Sequence, residues 1–357
     1  MELLYTRGMN NLGEGSALAR KVIKYGGIGI VALMVGRLVI GGAISYYKKL
    51  NPPPPPPPDV KFGKLPKLIF PEKPTVPLAY RLETRTGTLP TNLPNQFTVF
   101  FMPIKKPNLL AYDMAKAVAN RLNFIQEPKK LTERNYRWDS NSPVPSSFTI
   151  DIITGAFVMN RKWQDDPSYL TPTIFYNESQ AVDRIYNLLS RVELLPEDIK
   201  TGTYTVQNLK AENGQIVSAV SLSQSQFVQV NLYRKSVDET PVVSPRAERG
   251  LISGILALQR EDDRQFVQLD YNYFPVDMQT SAVYPLITVG EAWKRMQSNG
   301  GYIVAVKPET KEVTVREITL AYYDAEQPQQ FMQPVYVFRG DSDFVGYVPA
   351  LADEWVE

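Results

Sequence analysis

Hydrophobic positions fall into three regimes along the chain. Residues 25–47 (YGGIGIVALMVGRLVIGGAISYY) form an almost unbroken apolar run with Tyr25, Tyr46 and Tyr47 at its ends. Residues 52–78 have no period and are dominated by Pro and Lys, beginning with seven consecutive prolines, Pro52 to Pro58. From residue 79 onward, stretches with a helical period alternate with stretches of strand character.

Three segments in that last region carry a helical stripe. Leu109–Phe124 places Met114, Ala115, Val118, Ala119 and Leu122 on one face. Ser179–Val192 turns Ala181, Ile185, Leu188 and Leu189 inward, with Ser179 positioned to cap it. Thr288–Ser298 has the spacing of a capping box, Thr288 with Glu291, and ends at Gly300-Gly301. Strands are predicted at Tyr80–Thr84, Phe97–Met102, Tyr136–Trp138, Ser147–Ile153 and Gly155–Trp163, and again at Thr203–Leu209, Ile216–Gln224 and Phe227–Val237. Further strands follow at Leu251–Gln259, Gln265–Phe274, Tyr302–Lys307, Val313–Tyr323, Gln333–Arg339 and Phe344–Val348. Asn213-Gly214 between two of these reads as a type I′ hairpin.

The expected fold class is α+β: antiparallel sheets, each packed with one amphipathic helix, preceded by a single transmembrane helix and a polyproline stalk. The organisation follows as a cytoplasmic segment 1–24, a transmembrane helix 25–47, a stalk 48–78, a first α+β domain 79–165 and a second α+β region 170–357. That second region divides at 170–275 and 284–357.

The apolar run has 23 residues, enough at 1.5 Å per residue to cross roughly 30 Å of hydrocarbon. Charge then orients it. Residues 1–50 hold seven basic groups against two acidic ones, a net of +5, and the rest holds 32 basic against 35 acidic, a net of −3. The basic flank ahead of the run places the N-terminus in the cytoplasm and the folded region outside the cell membrane, single-pass. Cleavage after Ala43-Ile44-Ser45 is the competing signal-peptide reading. Arg37 sits near mid-span, at a cost of about 2.5–3.5 kcal/mol. It is either a contact for an acidic partner helix or a tolerated charge. The proline run is a polyproline II rod of about 20 Å, read as a spacer.

Composition narrows the chemistry. The 357 residues include no Cys and no His. Thiol nucleophiles, disulfides, Ser-His-Asp triads and His/Cys zinc sites are therefore excluded. No cofactor, metal or catalytic residue is expected, and the chain reads as a non-enzyme. Carboxylates remain the one acid/base option, at Glu261-Asp262-Asp263 and Asp341/Asp343. Gly340-Asp341-Ser342-Asp343 offers oxygen ligands for calcium but lacks EF-hand spacing. The weakly acidic folded region does not suit nucleic acid. Tyr322 and Tyr323, ahead of a Gln-rich loop with Gln329 and Phe331, suit a peptide or glycan surface if exposed and core packing if not.

The C-terminal unit also carries a family likeness. Ile287–Met296 (ITVGEAWKRM), Ile318–Tyr323 (ITLAYY), Gln333–Phe338 (QPVYVF) and Val345–Pro349 (VGYVP) succeed one another. Over residues 284–350 this resembles the extracytoplasmic regions of the YycH/YycI group and PepSY-like modules of membrane-anchored bacterial proteins. The resemblance implies a helix leading into a strand meander and regulation of an envelope protein by contact, with no catalytic residues.

The expected function is therefore that of a membrane-anchored, extracytoplasmic interaction or regulatory protein of the cell envelope. Its expected partners are the lipid bilayer and another envelope protein. Arg37, Tyr322, Tyr323, Gln329 and Phe331 are the candidate contact residues. Two alternatives accompany it: a cell-wall glycan or peptidoglycan-binding module, and a carboxylate-based hydrolase.

Overall fold

A computed structural model describes residues 24–26, 33–42, 46, 57–72, 77–141, 144–246, 249–259 and 262–357. The chain divides into two compact units, Met1–Pro57 and Pro58–Glu357. In the first, residues 24–26, 33–42 and 46 are helical. Among the described residues no helix is long and apolar enough to cross a membrane. The longest described run of the predicted span, 33–42, would rise about 15 Å, half of the roughly 30 Å of hydrocarbon. The rest of 25–47 lies outside the described residues. The single-pass anchor, the bilayer as partner and the extracytoplasmic placement are accordingly corrected and not carried further.

The second unit is α+β, built on two sheets. The larger has nine strands in the order β3-β4-β5-β6-β12-β11-β9-β7-β8, antiparallel throughout. These are β3 (Lys129–Lys130), β4 (Asn135–Ser140), β5 (Ser146–Asp151), β6 (Phe157–Arg161), β7 (Thr203–Glu212), β8 (Gln215–Ser218), β9 (Phe227–Tyr233), β11 (Ile252–Ala257) and β12 (Phe266–Tyr271). The other has eight strands. Its path is β1 (Ala79–Leu82), β15 (Glu312–Tyr323), β16 (Phe331–Gly340), β17 (Phe344–Pro349) and β14 (Tyr302–Ala305). Added to it are β2 (Gln96–Phe101), β10 (Val242–Val243) and β13 (Asp277–Pro285). Most of its pairings are antiparallel; β1 and β10 run parallel to β15.

Two helices cover one face of the nine-stranded sheet, α1 (Ala111–Arg121) and α2 (Glu178–Arg191). Ala115 and Ala119 of α1 and Ala181, Ile185 and Leu189 of α2 share a core with Trp138, Phe148, Val230 and Leu269. Alternate side chains of the strands face the other way, where Trp163, Tyr169, Phe227 and Val267 form a second cluster. Burial of apolar side chains on both faces is what holds this sheet. A four-residue helix, α3 (Glu197–Lys200), follows α2. Helix α4 (Val289–Gln297) buries Ala292 and Met296 against the eight-stranded sheet beside Phe338 and Phe344.

Local signals set most element ends. The Thr288–Glu291 capping box forms as the sequence predicts. The cap of helix α2 lies two residues earlier than expected, at Asn177 rather than Ser179, and Gln180 accepts in return from the Asn177 amide. Helix α1 starts at Ala111, leaving Leu109 outside it, and Met114 is exposed rather than part of the buried face. Asn213 and Gly214 carry φ of 52° and 75°, as the hairpin between β7 and β8 requires.

The stalk reading is also corrected. Residues 59–70 are stitched onto the eight-stranded sheet. Leu65 is wholly buried, donates to the Trp355 carbonyl at 2.8 Å and accepts from the Glu357 amide at 2.9 Å. Asp59 accepts from the Val283 amide at 2.8 Å, and Phe62 meets Phe331 at 4.9 Å between centroids. Pro52–Pro56 lie outside the described residues. The expected assignment of strands to domains changes as well: β1 and β2 pair with β15, β13 and β16. Residues 79–101 therefore share a sheet with the C-terminal third of the chain. The sequence reading does not anticipate β3, β10 or β13.

Candidate functional site

The residues singled out by sequence are distributed unevenly. Arg37 is exposed on the helical stretch 33–42. Tyr322 and Tyr323 are buried strand residues whose hydroxyls donate to the carbonyls of Thr98 at 3.1 Å and Ile69 at 3.0 Å. Gln329 donates to the Tyr323 carbonyl at 2.9 Å, and Phe331 lies against Phe62 and Phe101. These aromatics pack inside the protein and present no stacking surface, so the glycan-binding alternative loses its basis. The acidic clusters are engaged by arginines: Asp263 by Arg191, Asp262 by Arg264, Asp341 by Arg316. Among the described residues these carboxylates form no catalytic motif, and the hydrolase alternative is corrected. Glu261 lies outside the described residues. Among the described residues no group of three or more acidic side chains could hold a metal ion.

The densest polar constellation lies where the two sheets meet. Arg234 directly follows β9 and is buried. Its Nε donates to Asp324 Oδ2 at 2.9 Å, its Nη1 to Asp198 of α3, and its Nη2 to the Phe274 carbonyl at 2.8 Å. Its guanidinium lies over the Tyr273 ring, 4.6 Å from the centroid. The Tyr273 hydroxyl in turn donates to Asp198 at 3.0 Å. Burial works against the Arg234 charge, but Asp324 and Asp198 more than offset it, and its pKa rises. Burial pushes the Tyr273 phenol up to about 12. Asp324 directly follows β15 of the other sheet, so one guanidinium ties both sheets to α3.

Asp324 is 1% exposed, and burial raises its pKa against the opposing pull of Arg234. Only one of its oxygens is satisfied by Arg234. The other, Oδ1, is buried without a hydrogen-bond partner.

Asp324 also lines a cavity of about 310 Å³ in this junction, together with Arg246, Arg249, Asp270 and Glu326. Arg246 forks onto Glu326, with Nη2 to Oε2 at 3.0 Å. Arg249 pairs with Asp270, which also accepts from Gln268 at 2.9 Å. Burial raises the Asp270 pKa, with Arg249 opposing. The loop that carries both arginines is pinned in place. Tyr302 donates to the Pro245 carbonyl and Tyr347 to the Ser244 carbonyl, each at 3.1 Å. Ser244 Oγ donates to the carbonyls of Arg246 and Arg249. Gly250 ends the loop; a Cβ there would stand 2.3 Å from the Leu232 carbonyl oxygen of β9. Sequence reasoning missed this site. Arg234, Asp198 and Asp324 are separated by 36 and 90 residues, and no local motif links them.

A larger cavity, about 480 Å³, opens beside the ends of α1 and α2. Arg161 of β6, Arg191 of α2 and Arg264 line it with Asp262 and Asp263.

No protein-family model matches the chain, and no curated protein matches it. The resemblance of residues 284–350 to the YycH/YycI and PepSY group gains no support from these comparisons. Among solved structures, the chain is similar to the crystal structure of an uncharacterized protein from Eubacterium rectale. The two are 12% identical, with 72% of this chain and 82% of that chain covered and a TM-score of 0.33. That likeness is too low to inform fold or function.

Proposed function

We propose that this chain is a binding protein that does not transform its ligand, and that a small zwitterion of amino-acid to dipeptide size seats in the cavity between the sheets. The observation that carries this reading is Asp324 Oδ1, a buried acceptor without a partner on a residue that lines the cavity. Leaving such a group unsatisfied costs about 1–3 kcal/mol. An ammonium group is the donor best matched to a buried carboxylate in both charge and hydrogen bonding. The arginines complement it. Each has five N–H donors, and their pairs with Glu326 and Asp270 leave some over for a ligand carboxylate. The cavity volume is near the lower end of the range for small-molecule sites, and its position between two packed layers is a common one. The absence of Cys and His from the sequence favours binding over catalysis.

Isothermal titration with the standard free amino acids and with glycylglycine tests the reading. Binding by at least one probe is expected, with the probe recovered unchanged by proton NMR. Asp324→Asn should weaken it about tenfold or more, the loss of one charge-assisted contact. Arg249→Gln, altered at the half-exposed rim, should weaken it without touching the buried triad. Absence of binding across the panel, or binding that both variants leave intact, would overturn the assignment.

A further inference from the structure

We propose that the cavity beside the ends of α1 and α2 is a second binding site, for the phosphate or carboxylate group of a small anion, with Arg161 as the cation that recognises it. Three arginines from separate elements converge on the cavity, and two are already neutralised. Arg191 Nη2 contacts both oxygens of Asp263 at 2.8 Å, and Arg264 Nε donates to Asp262 at 2.7 Å. Arg161 differs. Among the described residues no carboxylate lies within ion-pair distance of it. Among the described residues its side chain makes one hydrogen bond, from Nε to the Phe266 carbonyl at 3.3 Å, and the Nη groups form a fork that finds no acceptor there.

The energetics favour an added anion there. Arg161 is half-buried, and desolvation, joined by Arg264, lowers its pKa against the opposing pull of Tyr169, Asp262 and Asp263. A counter-charge placed on the fork would offset that penalty at a site where charge-assisted bonds are strong. The last turns of α1 and α2 bring their negative ends to this cavity, and each carries an arginine against that field: Arg121 of α1 donates to the Val192 carbonyl at the end of α2 at 3.2 Å, and Arg191 lies in the last turn of α2.

Arg161 and Ser146 also line a neighbouring cavity of about 460 Å³, with Lys129, Arg137 and Lys162. There Asp139 is shared by Arg137 at 2.8 Å and Lys129 at 3.0 Å, one carboxylate for two cations. The fork of Arg161 thus stands between two cavities that each carry, among the described residues, more cationic than anionic groups. An anion held on it could extend its remaining part along either one.

Titration of the full chain with inorganic phosphate and, separately, with succinate distinguishes the two anion chemistries. Saturable binding of either, with amide shifts at Asn123 and Ser146, is the expected result. Phosphate alone would assign the site to phosphorylated ligands; succinate alone, or both, to carboxylates. Arg161→Met keeps the aliphatic stem and should reduce affinity tenfold or more, while Arg161→Lys, charged but without the fork, should fall between. Amino-acid binding at the inter-sheet cavity should be unchanged in both variants, so the two sites fail or succeed separately. No saturable binding of either anion, or binding equally tight in Arg161→Met, would overturn the proposal.

Discussion

Replacing Arg234 by Met removes the group that joins the two sheets while keeping most of the side-chain volume. The guanidinium is 3% exposed and makes its contacts to Asp324 and to the Phe274 carbonyl at 2.9 and 2.8 Å. Without it, Asp324 is an uncompensated buried carboxylate and the Phe274 carbonyl loses its donor. Asp198 is a third exposed and can turn to water, so its share is small. Breaking a buried pair in this way costs about 3–5 kcal/mol. The cation–π contact with Tyr273 belongs to the same loss and is not added to it.

A domain of ordinary stability has about 5–15 kcal/mol in all, so the variant should still fold, with a melting temperature lower by about 10 °C. Urea denaturation at pH 8 measures the loss directly. The pH dependence then identifies its cause. Asp324 has a raised pKa in the folded state, so its contribution to stability is fully present below the ordinary carboxyl value. That contribution is lost as pH rises through the folded value. Without Arg234 the folded value moves higher still, and the deficit of the variant should shrink between pH 8 and pH 5. The double variant Arg234→Met/Asp324→Leu should recover most of the stability, since an apolar pair can replace a buried ion pair at little cost. A loss below about 1 kcal/mol at pH 8, or a double variant as unstable as the sum of its parts, would refute the reasoning.

Two further perturbations test the scaffold. Gly250→Ala should destabilise by about 1–3 kcal/mol in urea, because its Cβ would meet the Leu232 oxygen at 2.3 Å and nitrogen at 2.8 Å, both backbone atoms of a central strand. Asn177→Ala and Thr288→Ala should each cost about 1 kcal/mol by the same assay, through loss of the N-cap bonds to Gln180 and Glu291. For Thr288 the cost should fade under acid. The backbone and side-chain bonds from Thr288 hold Glu291 below its usual value, so the box contributes above that value and is lost as pH falls.

Local chemistry made much of the scaffold readable. The period of Ser179–Val192, the Thr288/Glu291 spacing and the Asn213-Gly214 dipeptide each act over a few residues, and each appears in the structure as expected. Most strands were visible for the same reason. Those missed were two-residue β3 and β10, too short to show a period, and β13, whose first half, Asp277–Thr280, is mostly exposed and polar. What the sequence alone did not decide is partnership. Alternation marks a strand and its buried face, not the strand beside it, because pairing is made by backbone groups that every residue carries.

Residues 79–101 therefore looked like the start of their own domain, yet they complete the C-terminal sheet. Residues 59–70 looked like a stalk because they continue the Pro- and Lys-rich run 52–78, yet the backbone of Leu65 and Gly63 supplies their attachment. Apolar content likewise suggested a membrane span over 25–47, and the tyrosines of β15 suited a surface or the core equally by their chemistry. Hydrophobicity favours removal from water without specifying whether a membrane, a partner or the protein's own core provides it. Arg234, Asp198 and Asp324 show the same limit most sharply. Only the meeting of two sheets brings their charges together, and among the described residues only there does a buried carboxylate oxygen remain without a partner.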